Sequence, residues 1–427
     1  MENPVDADLL ALVWRERMFA ADALETVDGR PVTIVGRGEC AGSPDVFTGC
    51  EVVIDGTSCR GDVLLSCGEL PALRYGRSGC ADSAVLQVVP ERTGFVCRSD
   101  GSFVPQLVVE CPVEAACTYE RLRRESRSFR CSYHIGSLDG FRRETLFTRL
   151  SLERLERKYG DVMAIHAAVD RNWNETFYIL LLRSMGANTH KEMFTRLAYA
   201  VPYVYVTRER TSLRSVEAML LGGAGLLEGP ADDEYTRMLR EEFDYLRRKY
   251  DIRPLRHMGW REGHANPGGL PVLRIAQLAA FLSTQEFVFS NIVACRTPDD
   301  VHRLFRAEAS AYWTDHFVMG QPAGRPTPKR MGEMIVDILG INLVVPLLFA
   351  YGSETGEEAL REAAVDLLGQ IAPERNRIIK GWAHEGVSPA TAFESQALIQ
   401  LYRTYCEPRR CAACPVGRPV LRQSVGL

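Results

Sequence analysis

The chain has 427 residues, 46% of them hydrophobic and 25% charged, and a formal net charge of −4. Its length accommodates two or three domains with separate cores, and its composition excludes a wholly disordered chain. The first ten residues are acidic, with no basic flank ahead of an apolar run, so we expect no signal peptide. The longest apolar stretch, about Ile338 to Tyr351, is interrupted by Asn342 and Pro346 and is shorter than the roughly 20 residues that span a bilayer. We therefore expect a cytoplasmic protein without membrane contact.

The charge is unevenly distributed along the chain. Residues 1–118 contain 9 arginines, no lysine and 18 acidic residues, which gives a net charge of −9 and leaves +5 for residues 119–427. An acidic surface repels a phosphate backbone. The charge of the amino-terminal part therefore argues against nucleic acid as its partner.

The amino-terminal part, residues 1–118, is predicted to be a small α/β domain. Leu9, Leu10, Val13 and Trp14 follow helical spacing and predict an amphipathic first helix. Short β-branched runs between Gly, Asp and Ser clusters then predict strands, at Pro31–Val35, Glu51–Ile54, Gly61–Leu65, Val85–Val89 and Gln106–Val109. One helix followed by several strands is typical of an α/β or α+β unit with a small mixed sheet.

Residues 119–150 are predicted to be a basic connector, and residues 151–427 an irregular all-helical domain ending in a cysteine cluster. Between residues 119 and 158 the sequence contains 11 Arg and Lys residues and 6 acidic residues. This pattern fits a solvated helical connector, or a strip that binds nucleic acid through Arg121, Arg123 and Arg124. Beyond it, apolar residues recur at helical spacing between Gly and Pro breaks, without a repeat of fixed period.

Candidate chemistry in the amino-terminal part centres on Asp45, which follows Pro44 in a turn before a strand. Phosphodiesterases of the PD-(D/E)xK type begin their site in this way. Their Asp and a Glu on the next strand hold a divalent ion, and a nearby Lys stabilises developing charge. Here the corresponding positions are Leu64 and Ser66, and residues 1–118 contain no His or Lys to carry a proton. Acidic substitutes remain at Glu51, Asp55, Asp62 and Glu69. We predict a degenerate nuclease-like core.

Eight stretches along the chain form a recognisable set: SLERLERK at 151–158, RNWNETFY at 171–178, SVEAMLLGGAGLL at 215–227, LPVLRIAQLAAFL at 270–282, YWTDHF at 312–317, VVPLLFAYG at 344–352, SQALIQLYRTYC at 395–406 and RCAACPVG at 410–417. Together they resemble an uncharacterised bacterial family, domain of unknown function twenty-eight fifty-one. The resemblance identifies a family and implies no activity.

In the amino-terminal part, the resemblance implies a Gly-Pro-Asp-Phe turn, a Val-Glu-Ile-His strand and a later Leu-His-Val-Val strand. The present chain keeps Asp45 but has Leu64 for the Glu, Ser66 for the strand His and Gln87 for the later His. Leu and Ser still fit strands, so we expect the fold to survive. We expect a metal site of the family in this sheet, if there is one, to be lost.

Cys406, Cys411 and Cys414 form a C-x4-C-x2-C motif near the carboxy terminus. Neighbouring arginines favour thiolates, which are the metal-binding form. A closed zinc or iron–sulfur site takes four ligands. The resemblance implies Cys131 as the fourth ligand, because the family pattern carries a cysteine there, and His134 is the alternative. We predict zinc, with an iron–sulfur cluster as the alternative; thiols that bind no metal are the other reading. One distant cysteine with three terminal ones is similar in logic to the arrangement in iron–sulfur nucleases.

Two smaller features have structural explanations. Trp313, Asp315 and His316 place an aromatic ring beside an acid–imidazole pair, which suits a general base or a buried structural histidine. The glycines of Gly222–Leu227 lack the Lys-Ser/Thr of a phosphate loop. They predict a turn that ends a helix.

The function that this sequence favours is a non-catalytic scaffold or binding protein. Its degenerate nuclease-like domain would be carried on a metal-stapled helical body, with a protein as the favoured partner. The alternatives are a metal-dependent hydrolase of the nuclease type that acts through Asp45, and a protein that binds nucleic acid through the arginines of the connector.

Overall fold

The computed structural model of the chain describes residues 5–20, 22–40, 42–67, 81–124, 129, 131–229, 233–255, 259–260 and 269–426. The chain divides into two compact units. The first contains residues 1–146, 377–388 and 398–427, and the second contains residues 147–376 and 389–397. The predicted segments follow chain order, whereas these units do not, because residues 398–427 group with the amino-terminal part.

A mixed six-stranded sheet forms the centre of the first unit. Its strands are β1 (Val32–Gly36), β2 (Glu39–Cys40), β3 (Val46–Ile54), β4 (Thr57–Leu65), β5 (Ala84–Val89) and β6 (Gln106–Val108). The strand order is β1-β3-β4-β5-β6, with β2 paired to β3. The β1–β3 and β3–β4 pairs are antiparallel, and the β4–β5 and β5–β6 pairs are parallel. The predicted α/β class of this part is therefore confirmed.

The tight hairpin between β3 and β4 follows from two residues. Asp55 and Gly56 have φ angles of 51° and 75°, the left-handed conformations that a two-residue hairpin of this type needs. Both strands are nine residues long, longer than the four or five residues that the sequence predicts, because the β-branched runs cover only part of each strand.

Helices make up most of the remaining described chain. The α-helices are α1 (Ala7–Glu16), α2 (Val113–Arg124), α3 (Ser132–Gly136), α4 (Gly140–Ala168), α5 (Trp173–Met185), α6 (Ala187–Ala200), α7 (Tyr203–Glu209), α8 (Leu213–Gly223), α9 (Glu234–Tyr250), α10 (Pro271–Thr284), α11 (Val288–Ala294), α12 (Pro298–Leu304), α13 (Glu333–Leu339), α14 (Val345–Thr355), α15 (Glu358–Gln370), α16 (Arg377–His384), α17 (Ala392–Leu401) and α18 (Gly417–Ser424). Short 3₁₀ helices lie at Leu226–Glu228 and Ala311–Thr314, π-helical segments at Gly340–Val344 and Tyr402–Cys406, and a two-stranded ribbon at β7 (His316–Val318) and β8 (Gln321–Pro322). The predicted all-helical character of the later chain is confirmed.

Polar side chains fix where several of these helices begin. The carboxylate of Asp6 accepts a hydrogen bond from the backbone N–H of Leu9, at the start of α1. Asn172 caps α5 in the same way, and Thr297 and Asp300 form a capping box at α12. Each cap satisfies N–H groups that have no partner within their own helix.

One helical run in the second unit is long and apolar. Residues 333–355, comprising α13, the first π segment and α14, are long and apolar enough to cross a membrane, with a mean hydropathy of 2.1. The expectation that no stretch reaches this length was wrong, because Pro346 lies at the start of α14 and does not end the helix. Of the most apolar window, 61% is buried within the protein. A core helix passes the same test of length and composition, so this run is weak evidence of a membrane span.

A lysine of the second unit binds the middle of this apolar run. Lys158 of α4 donates hydrogen bonds to the backbone oxygen of Ile341 at 3.0 Å and to Asn342 Oδ1 at 2.9 Å. Burial lowers the pKa of this lysine well below its ordinary value. These hydrogen bonds tie the π segment to α4 within the second unit.

Candidate functional site

A small cavity in the first unit is surrounded by cysteines from distant parts of the chain. Its wall consists of Cys131, Tyr405, Cys406, Cys411, Cys414 and Gly417, and its volume is about 20 Å³. The structure therefore brings together all four residues that the sequence predicts as metal ligands. Cys131 is part of the wall and the alternative ligand, His134, is not.

A π-helical segment precedes the first terminal cysteine. Within Tyr402–Cys406 the helix widens, so that the backbone N–H of Glu407 donates to the oxygen of Tyr402 at 2.8 Å. Segments of this kind are rare and occur frequently at functional sites. Arg409 then takes a left-handed conformation, with φ of 60°. The chain reverses there and continues towards Cys411 and Cys414.

Close backbone packing holds the loop that contains Cys411 and Cys414. A Cβ atom at Gly417 would overlap the backbone oxygen of Cys411, so only glycine fits at this position without a shift. The backbone N–H of Val416 donates to Cys414 Sγ at 3.4 Å. Cys131, Cys411 and Cys414 are buried, and Cys406 is half-buried.

Ion pairs join the terminal segment to α1. Arg410 lies 3.4 Å from the carboxylate of Asp8, and Glu16 pairs with both Arg418 and Arg422. Arg410 and Arg418, which lie next to the terminal cysteines in the sequence, therefore both have acidic partners on α1.

The geometry of the described residues does not by itself assign a metal ion to the cavity. Among the described residues, no group of three or more His, Cys, Asp or Glu side chains is placed to hold a metal ion. The four cysteines instead enclose a space. Their role as metal ligands therefore stays a prediction.

In the six-stranded sheet of the first unit, called the front sheet below, an apolar residue occupies the position predicted for the missing Glu. Asp45 precedes β3, where its backbone oxygen accepts from the N–H of Leu65 at 2.8 Å and its carboxylate accepts from Ser43 Oγ at 3.0 Å. The next residue, Val46, pairs with Leu64 across the sheet. Leu64 is fully buried in a small cluster of apolar side chains, with Ala81, Ala84, Val96 and Val104.

The position predicted for the missing histidine of the later strand holds Gln87, one member of a buried glutamine pair. Gln87 pairs in register with Leu64 on one side and Gln106 on the other. Gln87 Oε1 accepts from the N–H of Val96 at 3.2 Å and from Gln106 Nε2 at 3.3 Å, and Gln87 Nε2 donates to the oxygen of Gly94 at 3.2 Å. Both side-chain amides therefore have hydrogen-bond partners inside the fold, and neither carries a charge.

Among the residues that the structure describes, the acidic substitutes form no metal-holding group with Asp45. Asp62 accepts from Ser83 Oγ at 2.6 Å, Glu51 is exposed on β3, and Asp55 is exposed in the hairpin turn. Glu69 lies outside the described residues.

The nearby thiol of Cys67 is a poor nucleophile. Burial, followed by the nearby carboxylates of Asp6 and Asp45, raises the pKa of this thiol to about 12.

The arginines of the connector are partly engaged within the first unit. Arg123 pairs with Asp6 at 2.8 Å, and Arg124 pairs with Glu120 at 2.8 Å. Arg121 is exposed. Two of the three arginines predicted for nucleic-acid binding thus have acidic partners close by, which weakens their attraction for phosphate.

Sequence reasoning missed a buried polar cluster in the second unit. The carboxylate of Glu217 on α8 is fully buried and accepts hydrogen bonds from Trp313 Nε1 and, at 2.7 Å, from the hydroxyl of Tyr235. The rings of Tyr235, Tyr312 and His316 stack in series, with centroids 4.1 and 4.0 Å apart. The signal in the sequence is Glu217 itself, an acidic residue within the apolar part of α8.

The acid–imidazole pair predicted in this region is formed. His316 Nδ1 lies 2.7 Å from Asp315 Oδ1 and 2.9 Å from the backbone oxygen of Tyr312. Only 12% of the His316 side chain is exposed. This arrangement matches the structural histidine reading more closely than an open general base.

Comparison with known proteins identifies the family of this chain. Residues 7–377 match the model of a family described as protein of unknown function, DUF2851, and the chain belongs to this family. The matched range includes Cys131 and ends before Cys406, so the stretches at 395–406 and 410–417 lie beyond it. No curated protein and no solved structure matches the chain.

Proposed function

We propose that this family member is a non-catalytic scaffold or binding protein whose first unit is closed by a metal centre at Cys131, Cys406, Cys411 and Cys414. The observation that carries the proposal is the cavity that all four residues line, although Cys131 lies 275 positions before Cys406. Both structural zinc and iron–sulfur clusters take four cysteine ligands. Because such a centre does not exist in the unfolded chain, the free energy of metal binding contributes to the free energy of folding.

The non-catalytic role is supported by the front sheet. Metal-dependent hydrolysis needs acidic ligands and a group that carries a proton. The strand positions next to Asp45 instead hold a buried leucine and a neutral glutamine pair. We therefore regard this sheet as a degenerate nuclease-like core that serves as a framework.

A protein is the proposed class of partner, and the cytoplasm is the proposed location. The acidic amino-terminal part and the paired connector arginines both disfavour a phosphate backbone. Cysteines persist as thiolate ligands in a reducing compartment, where structural disulfides are rare.

Metal analysis of the full chain tests the proposed centre. The protein is purified without oxygen or chelators, and its zinc and iron are measured for the wild type and for C131S and C411S. C295S is the matched control, because Cys295 is also buried but lies in the second unit. We expect the wild type and C295S to retain metal, and C131S and C411S to lose most of it. A wild type that contains neither metal overturns the proposal.

A further inference from the structure

The geometry points to an iron–sulfur cluster, not a single zinc ion, as the group held in the cysteine cavity. This inference rests on the proposed metal centre and specifies its chemistry. Three features of the cavity support it: its size, the character of its wall and the donors around it.

The size of the cavity exceeds what a zinc ion needs. In zinc sites the sulfur atoms lie about 2.3 Å from the ion, so the ligands leave no space between them. Here the centre of a water-sized body could range over about 20 Å³, a wider space than four sulfurs bound to one ion would leave. The same difference explains why no three described His, Cys, Asp or Glu side chains are placed around one ion.

An iron–sulfur cluster matches a spread set of cysteines. Its inorganic core contains several iron and sulfide ions, and in the four-iron type each of four cysteines binds its own iron. The cysteine sulfurs therefore surround the core and do not meet at one point. Cys131 comes from the connector, Cys406 from the end of a helix, and Cys411 and Cys414 from the following loop, so three separate chain segments supply the four cysteines.

The wall of the cavity is unsuited to water. It is almost entirely apolar, whereas a buried water needs two to four polar partners. A cluster of soft sulfide and iron ions would fill the space and bind the thiolates directly.

One hydrogen-bond donor reaches a sulfur of the wall, and a second, buried donor belongs to the residue that follows the wall in the chain. The N–H of Val416 already donates to Cys414 Sγ at 3.4 Å, and hydrogen bonds to sulfur are one means by which proteins set the potential of a cluster. Arg418 follows Gly417 of the wall, and its Nε is buried with no hydrogen-bond acceptor within the described part of the chain. A buried donor without an acceptor requires an explanation, and a cluster sulfide or a cysteine sulfur would supply one.

Iron, acid-labile sulfide and zinc in the anaerobically purified full chain test this inference. We expect about four iron and four sulfide ions per chain and an absorbance shoulder at ~400 nm that dithionite bleaches. C131S is expected to lose most of the iron and the shoulder, and C295S to keep both. Protein isolated without metal is also incubated with ferrous iron and sulfide, or with zinc alone.

The outcomes separate this inference from the proposed function. Iron and sulfide in equal amounts support both. One zinc per chain, with no iron taken up on reconstitution, overturns the cluster and leaves the metal centre in place. A chain that retains neither metal after either incubation overturns both.

Discussion

Phe129 packs against Trp382 with their ring centroids 4.7 Å apart. The same ring lies 5.3 Å from Tyr402, and the indole of Trp382 donates to the backbone oxygen of Leu398 at 3.2 Å. Phe129 is two residues before Cys131, and Tyr402 begins the π segment that ends at Cys406. This aromatic group therefore joins, within the first unit, the two chain segments that supply Cys131 and Cys406 to the wall of the cavity.

Replacement of Gly381 by alanine tests the aromatic group. A Cβ at this position would overlap the Phe129 ring, and overpacking of this kind costs typically about 1–3 kcal/mol. We expect G381A to lower the free energy of unfolding by this amount in urea titrations. G160A is the control, since a Cβ at Gly160 meets no atom within 4 Å. Alanine there is expected to stabilise α4 by about 0.5–1 kcal/mol. Equal effects of the two changes would contradict the packing argument.

Replacement of Gly417 by alanine tests how the loop holds the centre. The new Cβ would overlap the oxygen of Cys411, and a backbone atom moves less easily than the end of a side chain. We expect G417A to release metal to a chelator several-fold faster than the wild type. G160A, which changes no residue near the cavity, is expected to release metal at the wild-type rate. Indistinguishable rates for G417A and the wild type would show that the loop has room to move.

Replacement of Gln87 by leucine tests whether the glutamine pair is a structural element. Leucine leaves the N–H of Val96 without its acceptor and removes one bond from Gln106. A buried polar group left unsatisfied costs about 1–3 kcal/mol, so Q87L is expected to lower stability by this amount. The exposed Gln370, which donates to a backbone oxygen of its own helix, supplies the control Q370L, with an expected effect within about 0.5 kcal/mol.

Local sequence signals predicted much of the fold. The apolar spacing of Leu9 to Trp14 predicted α1, and the C-x4-C-x2-C motif, with the family resemblance for Cys131, named four residues that share one wall. The Asp55-Gly56 pair is the strongest type of hairpin signal. This pair lies between the predicted strands Glu51–Ile54 and Gly61–Leu65, and the hairpin that it forms extends both strands beyond their β-branched runs.

Long-range packing could not be predicted in the same way. The assignment of residues 398–427 to the first unit depends on ion pairs such as Arg410 with Asp8, and these join positions some 400 residues apart. The π segment before Cys406 leaves no clear mark on the sequence. Glu217 is an acidic residue at a buried helical position, and its partners Tyr235 and Trp313 lie on separate elements.

The buried carboxylate of Glu217 predicts a pH-dependent stability. Burial raises its pKa above the ordinary value of 4.5, and the hydrogen bonds from Trp313 and Tyr235 offset part of this effect. Because the folded pKa is raised, the contribution of Glu217 to stability is fully present below about pH 4.5 and is lost as the pH rises through the folded pKa. We expect E217Q to become more stable relative to the wild type as the pH increases from 5 to 8, as measured by urea midpoints.

A second variant separates this titration from packing. W313F removes the N–H that donates to Glu217 and keeps an aromatic ring. The carboxylate then loses one of its stabilising donors, so we expect the stability of W313F to fall more steeply with pH than that of the wild type. Parallel pH profiles for the wild type, E217Q and W313F would show that Glu217 does not titrate in this range.

Asp45 provides the direct test of the front sheet. Water activation by a divalent ion requires several oxygen ligands around it, and the neighbouring strand offers the buried Leu64 in place of a carboxylate. We expect no cleavage of single- or double-stranded DNA or RNA by the full chain with magnesium or manganese, and no difference between the wild type and D45A. The loss of the hydrogen bond from Ser43 is expected to cost about 1 kcal/mol of stability. Metal-dependent cleavage by the wild type that disappears in folded D45A would show that the first unit is an enzyme. The carboxylate of Asp45 would then position the ion although the adjacent strand supplies no ligand.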